Sequence, residues 1–194
     1  MRHKKSEDIK MKLRVKICLD AARGIAYLHD NGILHRDIKP DNILIFSLEY
    51  NTNDSINCVK SENENNEIVN GKLTDFGSSR NVNMLMTNMT FTKGIGTPTY
   101  MAPEVLNQKK YKRSADIFSF GVTMFEIFGW KEAYPKDIFK YPWRIAEFVN
   151  SGNRMDKPEN MPNMLYITIE KCWCQDQKER LSIKDVIFAL KAQL

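Results

Sequence analysis

Four side chains in two short stretches have the types and spacing to do chemistry. Asp37, Lys39 and Asn42 stand in the run HRDIKPDN (positions 35–42), and Asp75 stands in TDFG (positions 74–77). A carboxylate on a loop can orient an attacking hydroxyl and accept its proton. An ammonium two residues further on is a compact point charge that can meet a phosphate. An amide oxygen and a second carboxylate are the hard donors that magnesium prefers. Together these are the parts of metal-assisted phosphoryl transfer: a base, a cation against the transferred oxygens, and oxygen ligands for the ion that grips the phosphates.

The elements that would carry them are mostly helical. Ile9, Leu13, Ile17, Ala21, Ile25 and Leu28 recur at helical spacing, and Asn31-Gly32 is a natural stop. This helix delivers the chain to the His35 loop. Ile43 to Phe46 and Lys72 to Thr74 read as two short strands flanking the active loops. Between them, about 47–71, the chain is rich in asparagine and glutamate and is expected to be a disordered excursion. Ala115 to Phe128 is apolar on nearly every face and predicts a buried central helix, capped by Ser114 and stopped near Gly129. Helices are also predicted from Trp143 to Val149 and around Leu165, Ile169 and Trp173. The last starts at Ser182 with Asp185 in its first turn and an apolar face of Ile183, Val186, Ile187 and Leu190. The fold class is mainly α with a few short β-strands.

Composition sets wider bounds. At 194 residues, with 42% hydrophobic and 27% charged residues, the chain reads as one compact domain. The net charge is +5. Much of it falls in Arg2, Lys4, Lys5, Lys10, Lys12, Arg14 and Lys16, taken as the solvated face of an amphipathic helix. No aromatic platform or zinc pattern accompanies these residues, so no nucleic-acid partner is expected. No apolar run is long enough for a membrane span or signal peptide. Cys18, Cys58, Cys172 and Cys174 match neither zinc-finger spacing nor a disulfide framework, and reduced cysteines in a cytoplasmic protein are the default.

HRD with Asn42 at its offset, then DFG, then Ala102-Pro103-Glu104 resembles the eukaryotic protein kinases. The resemblance runs from about Ile9 to the C-terminus. It covers a kinase-like C-lobe without the N-terminal β-rich lobe, because no G-x-G-x-x-G occurs and only 34 residues precede His35. Residues 1–194 are thus expected to form a partial kinase domain. The resemblance implies ATP and Mg2+ as cofactors and protein substrates with serine or threonine. It makes Asp37 the base, Lys39 the cation at the phosphate, Asn42 and Asp75 the magnesium ligands, and Thr97 a hydroxyl near Asp37 and Lys39. His35 becomes a scaffold under the DFG turn, and Phe76 a hydrophobic spine element. Gly77 permits the backbone turn that aims Asp75.

By the same resemblance, Glu104 and Arg180 form a buried ion pair, and Asp116 accepts backbone N–H groups of the catalytic loop. Arg36 faces either a phosphorylated threonine of the segment from Asp75 to Glu104 (Thr87, Thr90, Thr92 or Thr97) or a backbone carbonyl. His3 and His29 belong to no constellation. Lys39-Pro40 and GTPTYMAPE (positions 96–104) resemble serine/threonine kinases. Cys172-Trp173 before Asp176 and Arg180, with Trp143 upstream, resembles the tyrosine-kinase-like group. Gln177, Leu181 and Phe118 depart from the family's usual residues. Two functions stay open: a catalytic lobe whose record lacks its N-terminal part, or a chain complete as given that acts as an inactive, pseudokinase-like docking module.

Overall fold

The structure, a computed structural model, describes residue 6 and residues 9–48, 68–81, 97–110 and 112–194. Its first helix, α1 (Met11–Asp30), buries Val15, Cys18, Leu19, Ala22 and Ile25 along one stripe. It ends at Asn31, and Gly32 follows with φ +70°, a left-handed turn that a Cβ would oppose. The basic stretch is not all solvated as expected. Arg14 lies on the buried stripe, with Nη1 donating to the Phe128 carbonyl (2.7 Å) and its guanidinium over the Trp130 ring.

The centre is α3 (Arg113–Gly129), in which every residue from Ala115 to Phe128 is buried. A helix apolar all round must be enclosed by other elements, and α1 and α5 (Asn163–Cys172) flank it. The crossing with α5 requires a glycine, since a Cβ on Gly121 would stand 2.9 Å from the Cβ of Cys172. Ser114 is not the cap. The helix begins two residues earlier than expected, after Lys112, and the Ser114 hydroxyl donates to Gln177 Oε1 at 3.4 Å. The helix does end at Gly129 as expected, and Trp130 after it takes the left-handed conformation at φ +51°. α6 (Ile183–Lys191) packs on α1 and α5, and its Ser182–Asp185 capping box is the one read from the sequence. α2 (Pro103–Leu106) and α4 (Pro142–Asn150) pack together beside the 3-10 turn Pro98–Tyr100.

Two antiparallel ribbons complete the described residues. β1 (Ile33–Leu34) pairs with β4 (Arg80–Asn81), and β2 (Ile43–Leu48) pairs with β3 (Ile68–Leu73) in a register from Ile43↔Leu73 to Leu48↔Ile68. The two ends of the expected excursion over 47–71 are strand instead. Residues 47–48 and 68–71 continue the ladder, and Val69 packs against the core. Polar composition masked an apolar residue that α1 could cover. The remainder, 49–67, lies outside the described residues. Among the described residues no helix is long and apolar enough to cross a membrane. The protein is mainly helical with few short strands.

Gly121→Ala is expected to destabilise the fold by about 1–3 kcal/mol, because backbone rather than a flexible side-chain tip must give way. Urea unfolding would show this as a lower midpoint at unchanged slope.

Candidate active site

The site starts where α1 hands the chain to the HRD loop. Arg36 has φ +74°, an unfavourable conformation for a residue with a Cβ. It is held there by Asp116 at the start of α3. Asp116 Oδ2 accepts the His35 N–H and Oδ1 accepts the Arg36 N–H, both at 3.0 Å. His29 Nε2 lies 2.9 Å from Oδ2. Asp116 has no exposed surface. Burial alone would raise its pKa, but the bond and charge of His29 and the two backbone N–H groups outweigh that and hold it below the usual carboxylate range. His29 thus belongs to a constellation after all. The signal was its place four residues after Ile25 on the buried stripe of α1, where a polar residue must find a partner.

His35 is fully buried, and its Nε2 donates to the Thr74 carbonyl at 2.9 Å. That leaves Nδ1 to accept the Asp37 N–H at 3.3 Å, so one imidazole joins both loops. Its ring centroid is 5.5 Å from that of Phe76. Phe76 itself remains 51% exposed and is not an enclosed spine residue among the described residues. The backbone turn also differs from expectation. Asp75, not Gly77, has the positive φ, +59°, and the Gly77 N–H donates back to Asp75 Oδ1.

Asp37, Lys39, Asn42 and Thr97 converge in one hydrogen-bond network. Lys39 Nζ donates to Asp37 Oδ2 at 2.7 Å and to Thr97 Oγ1 at 3.0 Å. The Thr97 hydroxyl donates to Asp37 Oδ1 at 2.9 Å. Asn42 Nδ2 donates to the Asp37 carbonyl at 2.7 Å and to Oδ2 at 3.2 Å. Desolvation pushes the Asp37 pKa up, but the Lys39 and Thr97 bonds, the lysine charge and the Asn42 bond together bring it below the ordinary value. The carboxylate is ionised and oriented at neutral pH.

Asp75 reaches this network through the backbone, since the Thr74 N–H donates to the Asn42 carbonyl at 2.9 Å. The donor chemistry fits magnesium held partly by phosphates. Both Asn42 side-chain bonds use Nδ2, which leaves its amide oxygen for a cation, and the Asp75 carboxylate stands on an exposed turn. Among the described residues no three His, Cys, Asp or Glu side chains converge as a metal cage.

Away from the loops, Arg180 forms a bidentate pair with Glu104 at 2.7 and 2.8 Å, and it also donates to the Ser114 and Cys174 carbonyls. Its guanidinium lies over one ring, Phe118, which Arg154 also covers. A cleft of about 760 Å³ opens from Lys39 and Thr97 toward Tyr134, Pro142 and Ile145. On its wall Glu126 accepts the Tyr100 hydroxyl and the Ala133 N–H, both at 2.8 Å. Burial, followed by repulsion from Glu132 and Asp41, raises its pKa. Glu126 was not singled out in the sequence, although a carboxylate deep inside an apolar helix was a signal. Thr87, Thr90 and Thr92 lie outside the described residues.

This geometry meets the comparisons with known proteins. A family model described as protein tyrosine and serine/threonine kinase matches residues 1–190. The chain belongs to the protein kinase family. It is 33% identical over 180 residues to gdt9 of Dictyostelium discoideum, described as a probable serine/threonine-protein kinase, covering 92% of this chain and 10% of that protein. It is 32% identical over 173 residues to serine/threonine-protein kinase STE20 of Saccharomyces cerevisiae, covering 88% of this chain and 16% of that one. The kinase chain thus spans a small fraction of the length of these curated relatives. The family in general uses ATP and Mg2+.

Asp37 and Asp116 both have folded-state pKa values below their unfolded ones. Their stabilisation is therefore present above the unfolded value, about 3.9, and is lost as pH falls through the folded values. Circular dichroism against pH should show the acid loss beginning below about pH 4. Asp116→Asn should flatten that limb while lowering stability at neutral pH.

Proposed function

We propose that this chain is the C-terminal lobe of a serine/threonine kinase of the tyrosine-kinase-like group, and that it transfers the γ-phosphate of ATP to protein hydroxyls. The observation that carries this reading is the network around Asp37. A base for phosphoryl transfer must be ionised and aimed, and Asp37 is both. In this reading Asp37 orients the substrate hydroxyl and accepts its proton, and Lys39 bridges to the oxygens of the moving group. Thr97 closes the other side of the carboxylate. Asn42 and Asp75 hold magnesium, which neutralises charge on the phosphates when bound. His35, Arg36, Phe76, Gly77, Asp116, Glu104 and Arg180 keep these groups in place. The cleft beside Lys39 and Thr97 takes the polypeptide that presents the hydroxyl. Lys39-Pro40 and the likeness to serine/threonine-protein kinases support serine and threonine as acceptors, and Cys172-Trp173 supports the subgroup. The reading takes the protein as cytoplasmic and without a nucleic-acid partner.

A docking module without catalysis is the second reading, and one observation favours it. Leu44, Ile45, Phe46 and Phe76 each leave 43–55% of their surface exposed near the site. Exposed apolar groups in such number suit contact with another protein surface.

Transfer of labelled phosphate from magnesium-ATP to a serine/threonine peptide tests the two. Asp37→Asn should lower the rate about 100- to 10,000-fold with the fold intact. Asp75→Ala should abolish the magnesium-dependent transfer. Turnover that survives in the Asp37→Asn kinase refutes the role of Asp37, and a folded wild-type chain that neither binds ATP nor transfers phosphate favours docking.

A further inference from the structure

We propose that Asp20, in the middle of α1, is a positioning residue for the magnesium arm that ends at Asp75, and that it acts through Gly71. This rests on the reading that Asn42 and Asp75 hold the metal. Asp20 Oδ2 accepts the Gly71 N–H at 3.1 Å and the Lys16 ammonium, and Oδ1 accepts Arg23 at 3.1 Å. Its side chain is only 11% exposed. Lys16 Nζ reaches onward to the Val69 carbonyl at 3.4 Å and Asn70 Oδ1 at 3.5 Å. The Lys16–Asp20 pair therefore grips three consecutive residues of β3.

Gly71 lets the strand come this close. A Cβ on it would stand 3.1 Å from the Ile17 carbonyl oxygen, whereas one on Gly24 would make an ordinary contact with the Leu73 Cβ at 3.4 Å. β3 is thus seated against α1 at Gly71 and again at Leu73, two residues before Asp75. The strand passes that placement on. Leu73 pairs with Ile43, and both the Thr74 N–H and its hydroxyl donate to the Asn42 carbonyl. A one-residue slip of β3 would turn its side chains to the opposite face and carry Asp75 away from Asn42. Asp20 opposes that slip from outside the site, as partners beyond the direct ligands do in metal centres.

The test uses the full chain with Asp20→Ala, Asp20→Asn and Gly71→Ala, the last reaching the same clasp from the strand side. Manganese(II) with ATP is the probe, read by electron paramagnetic resonance, and amide hydrogen exchange is followed at Thr74 and Arg36. In Asp20→Ala and Gly71→Ala, manganese affinity should fall about 10-fold. Thr74 exchange should accelerate by a similar factor, while Arg36, held by Asp116, exchanges as in the wild type. Asp20→Asn keeps an oxygen for the Gly71 N–H and should recover most of both. Wild-type manganese affinity or wild-type Thr74 exchange in folded Asp20→Ala overturns the inference. So does equal acceleration at Arg36, which would mark general loosening. Failure of the wild-type chain to take up manganese-ATP overturns the magnesium reading and this inference together, a result distinct from the others.

Discussion

Asp116 is withdrawn wholly from solvent, where burial by itself would favour the protonated acid. It remains a carboxylate because two backbone N–H groups and an imidazole are aimed at its oxygens. The arrangement is reciprocal. Those N–H groups belong to a loop that bends through a left-handed arginine, and the bend persists because the carboxylate rewards it. Everything chemical in the molecule hangs from this point. Asp37 follows Arg36 directly, and its own N–H closes onto His35, whose far nitrogen reaches the Thr74 carbonyl before Asp75. One buried charge therefore sets the base, and through a single imidazole it touches the metal arm.

The second half of the site is fixed by packing. The ribbon of β2 and β3 brings Asn42 and Asp75 together, and α1 supports it where Gly71 lets the two backbones approach. Because α1 also contributes His29, one rigid helix meets both halves. From Asp20 to His29 is nine residues, or roughly 13–14 Å of helix. The spacing of the two supports is thus set by helical pitch.

Much of this was legible in the sequence because its signals are local. The stripe of α1, the apolar run of α3 and the Ser182–Asp185 box each fall within a few turns of chain, and HRD, DFG and APE are contiguous. What stayed hidden depends on residues far apart. Asp20 meets Gly71 across 51 positions, His29 meets Asp116 across 87 and Arg14 meets Phe128 across 114. No period within one element encodes such partners. Arg14 and His29 sit on the buried stripe, and their polarity there demanded an acceptor without naming it. The strand ends at 47–48 and 68–71 were lost for a related reason. An asparagine-rich stretch lowers mean hydropathy, while one valine facing a helix suffices to extend a ladder.

The enclosure of α3 has a consequence for how the molecule opens. A helix apolar on every face has no side that can be bared cheaply, and its neighbours α1 and α5 each cover part of it. Phe118, Phe120 and Phe125 on it have no exposed surface. Amides of so enclosed a helix are expected among the slowest to exchange with solvent. Since Asp116 rides on that helix, the HRD loop is anchored to the most enclosed helix among the described residues.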